Sequence, residues 1–218
     1  MSPQRLNAHI QRTLAHGRVA LSAPRGCPEI PLYLFDPAVL EGPLTHDQAQ
    51  AVVAEPAYWS FCWASGQVLA AAILAHPEWV RGKRVIDFGS GSGIVAIAAA
   101  LAGAREVVAC DLDAQALDAV AANAAANDVT LSYCRDWFQR EGAFDLVTAA
   151  DVLYDPDNRP FLDEFVAAAP EVLLADSRVK NLDHPPYVAF DEVECTTWPD
   201  LNEFEEFNRV RLYRARTS

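Results

Sequence analysis

From Arg84 onward the apolar positions come in short unbroken blocks rather than singly. Runs rich in Val, Ile, Leu and Ala occur at Arg84–Phe88, Glu106–Cys110, Thr130–Cys134, Phe144–Ala149 and Glu171–Ala175. Each is too short for a buried helix and reads as a strand covered on both faces. Between them lie the Ala-rich stretches Ile94–Ala102, closed by Gly103, and Ala114–Asn127, followed by Phe161–Ala169 after Pro160. These carry helix start and stop signals, with Asp113 as a plausible N-cap. Strands alternating with helices predict an α/β fold with a parallel sheet, helices on both faces and a ligand beyond the carboxyl ends of the strands. The rhythm then changes. Ala189–Thr196 and Arg209–Ala215 read as strands joined by Trp198–Asn208 with no crossover helix, so they should pair antiparallel.

The first 60 residues look different and are expected to form an N-terminal extension to a domain spanning 61–218. A helix is predicted around Leu6–Leu14, Pro/Gly-rich segments around Ile30–Phe35 and a helical piece at Asp47–Glu55. Ser65 is placed to cap a helix Gly66–Ala75 that ends before Pro77.

The first predicted strand of the alternating region runs into Asp87-Phe88-Gly89-Ser90-Gly91-Ser92-Gly93. Glycines two apart let the backbone turn tightly and come close to a ligand, and the following helix offers unpaired N–H groups. Two cofactors fit these letters. Gly91-Ser92-Gly93-Ile94-Val95-Ala96 satisfies G-x-G-x-x-A, with Asp111 twenty residues after Gly91, as in NAD-dependent oxidoreductases. Read from Asp87, the same stretch is D-x-G-x-G-x-G, a pattern of S-adenosylmethionine (SAM) binding. An antiparallel finish to the sheet favours SAM, because NAD domains continue with parallel units.

Acids stand at the carboxyl ends of four successive predicted strands: Asp87, Asp111, Asp136 and Asp151. Carboxylates there can accept hydrogen bonds from an ammonium, ribose hydroxyls and an adenine amine, all of which SAM carries. Asp111 would take the ribose, and Asp136 the adenine amine with Trp137 on the purine face. Asp87 would steer the loop or pair with the ammonium. Each acid could instead cap the helix that follows it.

Composition narrows the partners. The 218 residues suffice for one sizeable core. A net charge of −13 without basic clusters speaks against nucleic acid. The five cysteines and five histidines are scattered, which argues for reduced thiols and against a metal site. No signal peptide or membrane span is recognisable, so a cytoplasmic protein is expected. The loop Asp183-His184-Pro185-Pro186-Tyr187 reads as a Pro-rich turn, and Trp79, Trp198 and Phe204 as packing residues.

Three segments together resemble the family-16 protein methyltransferases, the seven-β-strand enzymes with an acid-x-x-Tyr motif after the fourth strand. They are Tyr58-Trp59-Ser60-Phe61-Cys62-Trp63-Ala64-Ser65-Gly66, the loop Asp87–Gly93, and Asp151-Val152-Leu153-Tyr154. The resemblance covers roughly residues 55–155. It implies a class I methyltransferase fold: a Rossmann-like, seven-stranded sheet with the last strand antiparallel. It also implies SAM as cofactor, contacted by Trp63, Gly89, Gly91, Gly93, Asp111, Trp137 and Ala150, with Asp151 and Tyr154 at a substrate lysine. Ser92 stands where close relatives tend to carry cysteine. The implied partner is a protein, with the β subunit of electron transfer flavoprotein as first candidate.

The chemistry agrees. Methyl transfer needs an uncharged amine, yet lysine ordinarily titrates near 10.4. A partly dry pocket lined by Trp59 and Tyr154 would favour the neutral form, and Asp151 would orient the amine or take its proton. Two other readings stay open: N-methylation of a small amine or nicotinamide-like acceptor, and a NAD-dependent oxidoreductase.

Overall fold

The computed structural model describes residues 2–39, 54–201 and 203–217. Helix α1 (Pro3–Ile10) opens the chain, starting earlier than the predicted Leu6 because Pro3 occupies its first turn. Strands β1 (Val19–Ser22) and β2 (Leu32–Phe35) follow and form a separate antiparallel pair. The helical piece expected at Asp47–Glu55 lies, except for its last two residues, outside the described residues.

After the Trp-rich lead-in come α2 (Ala64–Ala75), β3 (Arg84–Phe88), α3 (Ile94–Leu101), β4 (Glu106–Cys110) and α4 (Ala114–Ala126). Next are β5 (Ser132–Cys134), β6 (Leu146–Ala150), α5 (Phe161–Ala168), β7 (Glu171–Asp176), β8 (Val188–Glu194) and β9 (Arg209–Arg216). The main sheet has the order β5-β4-β3-β6-β7-β9-β8. Strands β3 to β7 are parallel, and β9 runs antiparallel between β7 and β8. This is the predicted seven-stranded sheet with its last strand reversed.

Two apolar layers sandwich the sheet. On one face α2 packs on α3, and Ile73, Ile97, Val120 and Leu146 share one cluster. On the other face Leu162 and Phe165 of α5 meet Ile86, Val147, Val172 and Leu174. Each such side chain, fully removed from water, contributes roughly 1.5–3 kcal/mol. Asp113 caps α4 as expected, accepting from Gln115 N at 2.8 Å. No helix among the described residues is long and apolar enough to cross a membrane.

The N-terminal segment is fastened to α4. Arg5 and His9 reach Asp118 at 2.7 and 2.8 Å, and Asn123 Oδ1 accepts from Tyr33 N at 2.7 Å. Leu6 and Ile10 pack with Trp59, Ala116 and Ala119.

Three local expectations fail for identifiable reasons. Strand β6 begins at Leu146 rather than Phe144, because the Asp145 carboxylate is used to accept from Arg84 N at 2.7 Å. Ser65 is not the cap of α2, which begins at Ala64; its hydroxyl donates to Asp151 Oδ1 at 2.6 Å instead. Phe204 is not packed: it stands 77% exposed, touching only the edge of Phe207 among aromatic rings of the described residues.

Candidate active site

The strand-to-helix loops at the carboxyl edge of the sheet enclose a cavity of about 760 Å³. Its floor is the glycine loop after β3. Gly89, Gly91 and Gly93 all have positive φ, at 65°, 51° and 85°, which favours glycine over residues bearing a Cβ. A Cβ on Gly89 would come within 2.9 Å of Val152, and one on Gly93 within 3.1 Å of Val120. On Gly91 it would meet nothing closer than 3.8 Å, so the loop leaves open space there for a ligand.

Asp111, at the end of β4, holds this loop. Its carboxylate accepts from Gly91 N at 2.9 Å and from Asp113 N at 3.0 Å. Burial raises its pKa, opposed by those two amides. Asp136 accepts from Phe138 N at 2.9 Å and Gln139 Nε2 at 3.1 Å, so the capping role is real here too. Each carboxylate oxygen has a second lone pair, and both acids line the cavity. Trp137 forms the wall beside them, edge-on to Phe88 and Phe165 at 5.5 and 5.2 Å.

Asp151 has φ 50°, a left-handed conformation uncommon for a residue with a side chain. It is almost fully buried and accepts four hydrogen bonds: from Ser65 N and Oγ at 3.1 and 2.6 Å, and from Ser177 N and Oγ at 3.2 and 2.8 Å. One of these donors is a first-turn amide of α2, so Asp151 caps that helix from across the sheet. Behind it Asp176 accepts from Arg178 N and Val179 N, both at 2.8 Å. Burial and then the nearby Asp151 charge push Asp176 up to about 6.

The mouth is aromatic. Tyr58 lies 5.9 Å from Trp63 and 6.0 Å from Tyr154 between ring centroids, and Trp63 Nε1 donates to Tyr58 O at 3.1 Å. Tyr154 is 58% exposed, and burial of the rest of it raises its pKa, with Tyr58 and Asp155 adding to the effect. Arg178, paired with Glu203, stacks over Phe207 at 4.1 Å, and both line the cavity.

The sequence-derived residues therefore divide. Trp63, Gly89, Gly91, Asp111, Asp136, Trp137, Ala150, Asp151 and Tyr154 share one cavity wall. Asp87 and Gly93 do not line it. Gly93 is the N-cap of α3, and Asp87 lies beneath the loop with Thr148 Oγ1 donating to it at 2.8 Å. Ser177, Asp176, Tyr58, Arg178 and Phe207 were not foreseen. Asp176 continues the row of strand-end acids and was readable as such; the others depend on tertiary neighbours.

Burial is the main reason Asp87 titrates high, at about 7 instead of 3.8. The folded chain thus holds a proton that the unfolded chain releases near pH 4. Stability from this group is complete below that pH and is lost as pH rises through about 7. Asp87→Asn should flatten the fall in melting temperature across that window; parallel wild-type and variant curves would contradict it.

The donor set fits SAM on features of the cavity itself. Two acids, Asp111 and Asp136, line the wall, an open glycine cradle lies below, and two wall indoles, Trp59 and Trp137, have buried N–H groups with no hydrogen-bond partner among the described residues.

Comparison with known proteins agrees. Residues 73–156 match the family model of ribosomal protein L11 methyltransferase (PrmA). The electron transfer flavoprotein beta subunit lysine methyltransferase of Rattus norvegicus is 39% identical over 103 residues, 46% of this chain and 40% of that protein. The match thus spans well under half of the rat protein's length. The Xenopus laevis protein of the same name is 29% identical over 194 residues, covering 85% of this chain and 78% of that one. Among solved structures, magnesium protoporphyrin IX methyltransferase from Synechocystis PCC 6803 with bound SAM has a TM-score of 0.54 at 18% identity, covering 82% of this chain and 87% of that one. It shares the fold. The sheet order, the glycine cradle and these likenesses give the chain the seven-stranded fold of class I methyltransferases, with SAM as cofactor.

Proposed function

We propose that the chain methylates a lysine side-chain nitrogen of a protein. The observation that carries this reading is the mouth of the cavity, where Tyr154 stands half-exposed beside Tyr58 and next to the buried Asp151. A lysine on another protein can enter such a rim end-on, its alkyl stem against the rings. The similarity to proteins named lysine methyltransferases supports the same reading, and it makes the β subunit of electron transfer flavoprotein the first acceptor to try.

Bound SAM supplies an electrophilic methyl group. The chain's residues do the rest. The Gly91 segment and Asp111 hold the donor's polar end, while Asp136 and Trp137 hold its base. Tyr58, Trp63 and Tyr154 exclude water around the incoming amine, which disfavours its charged form. Asp151 orients the amine through its charge. Its oxygens already accept four donors, which fix the carboxylate in place. Tyr154, with its raised pKa, stays a phenol and offers a hydrogen bond. The amine's proton leaves to solvent through the open rim. Most of the rate then comes from alignment, with reacting atoms about 3–3.5 Å apart.

Incubating the protein with labelled SAM and recombinant electron transfer flavoprotein, beside a cell lysate, tests this. Peptide mass spectrometry should find methylated lysine in a discrete protein. Label confined to small molecules would overturn the protein-lysine reading.

A further inference from the structure

We propose that Trp59 is a further SAM-binding residue, its indole N–H donating to an oxygen of the bound molecule. The inference rests on SAM as the occupant of the cavity, and on Trp59 having an unmet need. Trp59 is a lining residue of the cavity and is 1% exposed, and its Nε1 has no hydrogen-bond partner among the described residues. Buried donors are rarely left unpaired, because the hydrogen bond to water is lost and nothing replaces it.

Among the described residues the surroundings offer no internal remedy. Trp59 packs among Leu6, Ile10, Ala116 and Ala119, and the His9 ring meets it edge-on at 6.2 Å. The neighbouring Ser60 hydroxyl is already spent, donating to Ala57 O at 2.7 Å. A trapped water would need several polar partners, which this apolar cluster lacks.

The cavity is the remaining source of an acceptor. Ala116 and Asp111 line it together with Trp59. SAM brings oxygens of two kinds, on the ribose and on the methionine carboxylate. Either would accept this N–H, which no oxygen of the described residues does.

This gives Trp59 a signature that a purely packing residue lacks: its N–H gains a partner only in the bound state. Trp59→Phe in the full chain keeps an aromatic ring and removes the donor. The variant should bind SAM about 3- to 10-fold more weakly, the worth of one net hydrogen bond. Its ligand-free melting temperature should change less than its SAM-bound one. Adenosine separates the two oxygen sources. An equal loss for adenosine assigns the ribose, and an unchanged adenosine affinity assigns the carboxylate.

Wild-type protein gives an independent readout. The chain has five tryptophans, so indole 15N–1H spectra are simple to read. The Trp59 signal, identified by its absence in the variant, should shift and exchange more slowly when SAM is added. Unchanged SAM affinity in the variant, or a Trp59 signal indifferent to SAM, would overturn the proposal. Failure of wild-type protein to bind SAM would instead overturn the cofactor assignment beneath it.

Discussion

Asp151→Ala should lower the melting temperature by roughly 6–20 °C and abolish methyl transfer together. The carboxylate is the common acceptor for Ser65 and Ser177, each giving both its amide and its hydroxyl. Removing it leaves four buried donors facing a void. Unmet donors cost about 1–3 kcal/mol each, though hydroxyls can turn away and water can enter. A net loss of about 3–5 kcal/mol is the reasonable scale. In a chain of this size each kilocalorie shifts the midpoint by about 2–4 °C. Asp151→Asn is the informative companion. It keeps the volume and one acceptor oxygen but turns an NH2 toward donors, so its stability should fall between wild type and the alanine variant. Differential scanning calorimetry of the three proteins decides the matter, and an alanine variant melting with wild type would show that the network is dispensable.

Asp111→Ala should leave most of the fold intact and weaken SAM binding on the order of 100-fold. Two losses combine. The Gly91 amide loses its acceptor, so the loop is no longer held in its open-cradle shape. In the proposed binding mode the ribose hydroxyls also lose a carboxylate partner, and hydrogen bonds to charged groups contribute about 1.5–3 kcal/mol. Asp113→Ala is the control. Asp113 also lines the cavity but serves as the cap of α4. Its loss should cost about 1 kcal/mol of stability with little effect on SAM affinity. Isothermal titration with SAM reads both variants, and equal affinities for the two would sink the distinction.

These two aspartates show what could be read from the chain before its coordinates. Strands β3 and β4 and the cap at Asp113 were legible to the residue, because each rests on local signals: an unbroken apolar block, a glycine, a side chain that can bond its own backbone. The cavity wall was legible because strand-end acids recur in register with the apolar blocks. Ser65 was misread for the same reason. Locally it is a good cap, and only the folded chain brings Asp151, 86 positions on, to claim its hydroxyl. Asp87, expected to steer the loop or pair with the ammonium, accepts from Thr148 beneath the loop, a partner that only the folded sheet supplies. Phe204 was taken for core on its chemistry alone, and the surface is where it stands.

The long reach between Ser65 and Asp151 also sets an order of assembly. A helix start capped by its own sequence can form early, whereas this one waits for a partner that arrives only after β6 is made and after β7 delivers Ser177. Closing so distant a contact is slow, since the chain's loop entropy must be overcome first. The aromatic lead-in just before α2 is thus anchored next to a contact that needs both β6 and β7. A chain emerging from the ribosome can lay down its first glycine loop well before it has a functioning entrance. The mouth of the cavity is thereby tied to the pairing of β6 with β7.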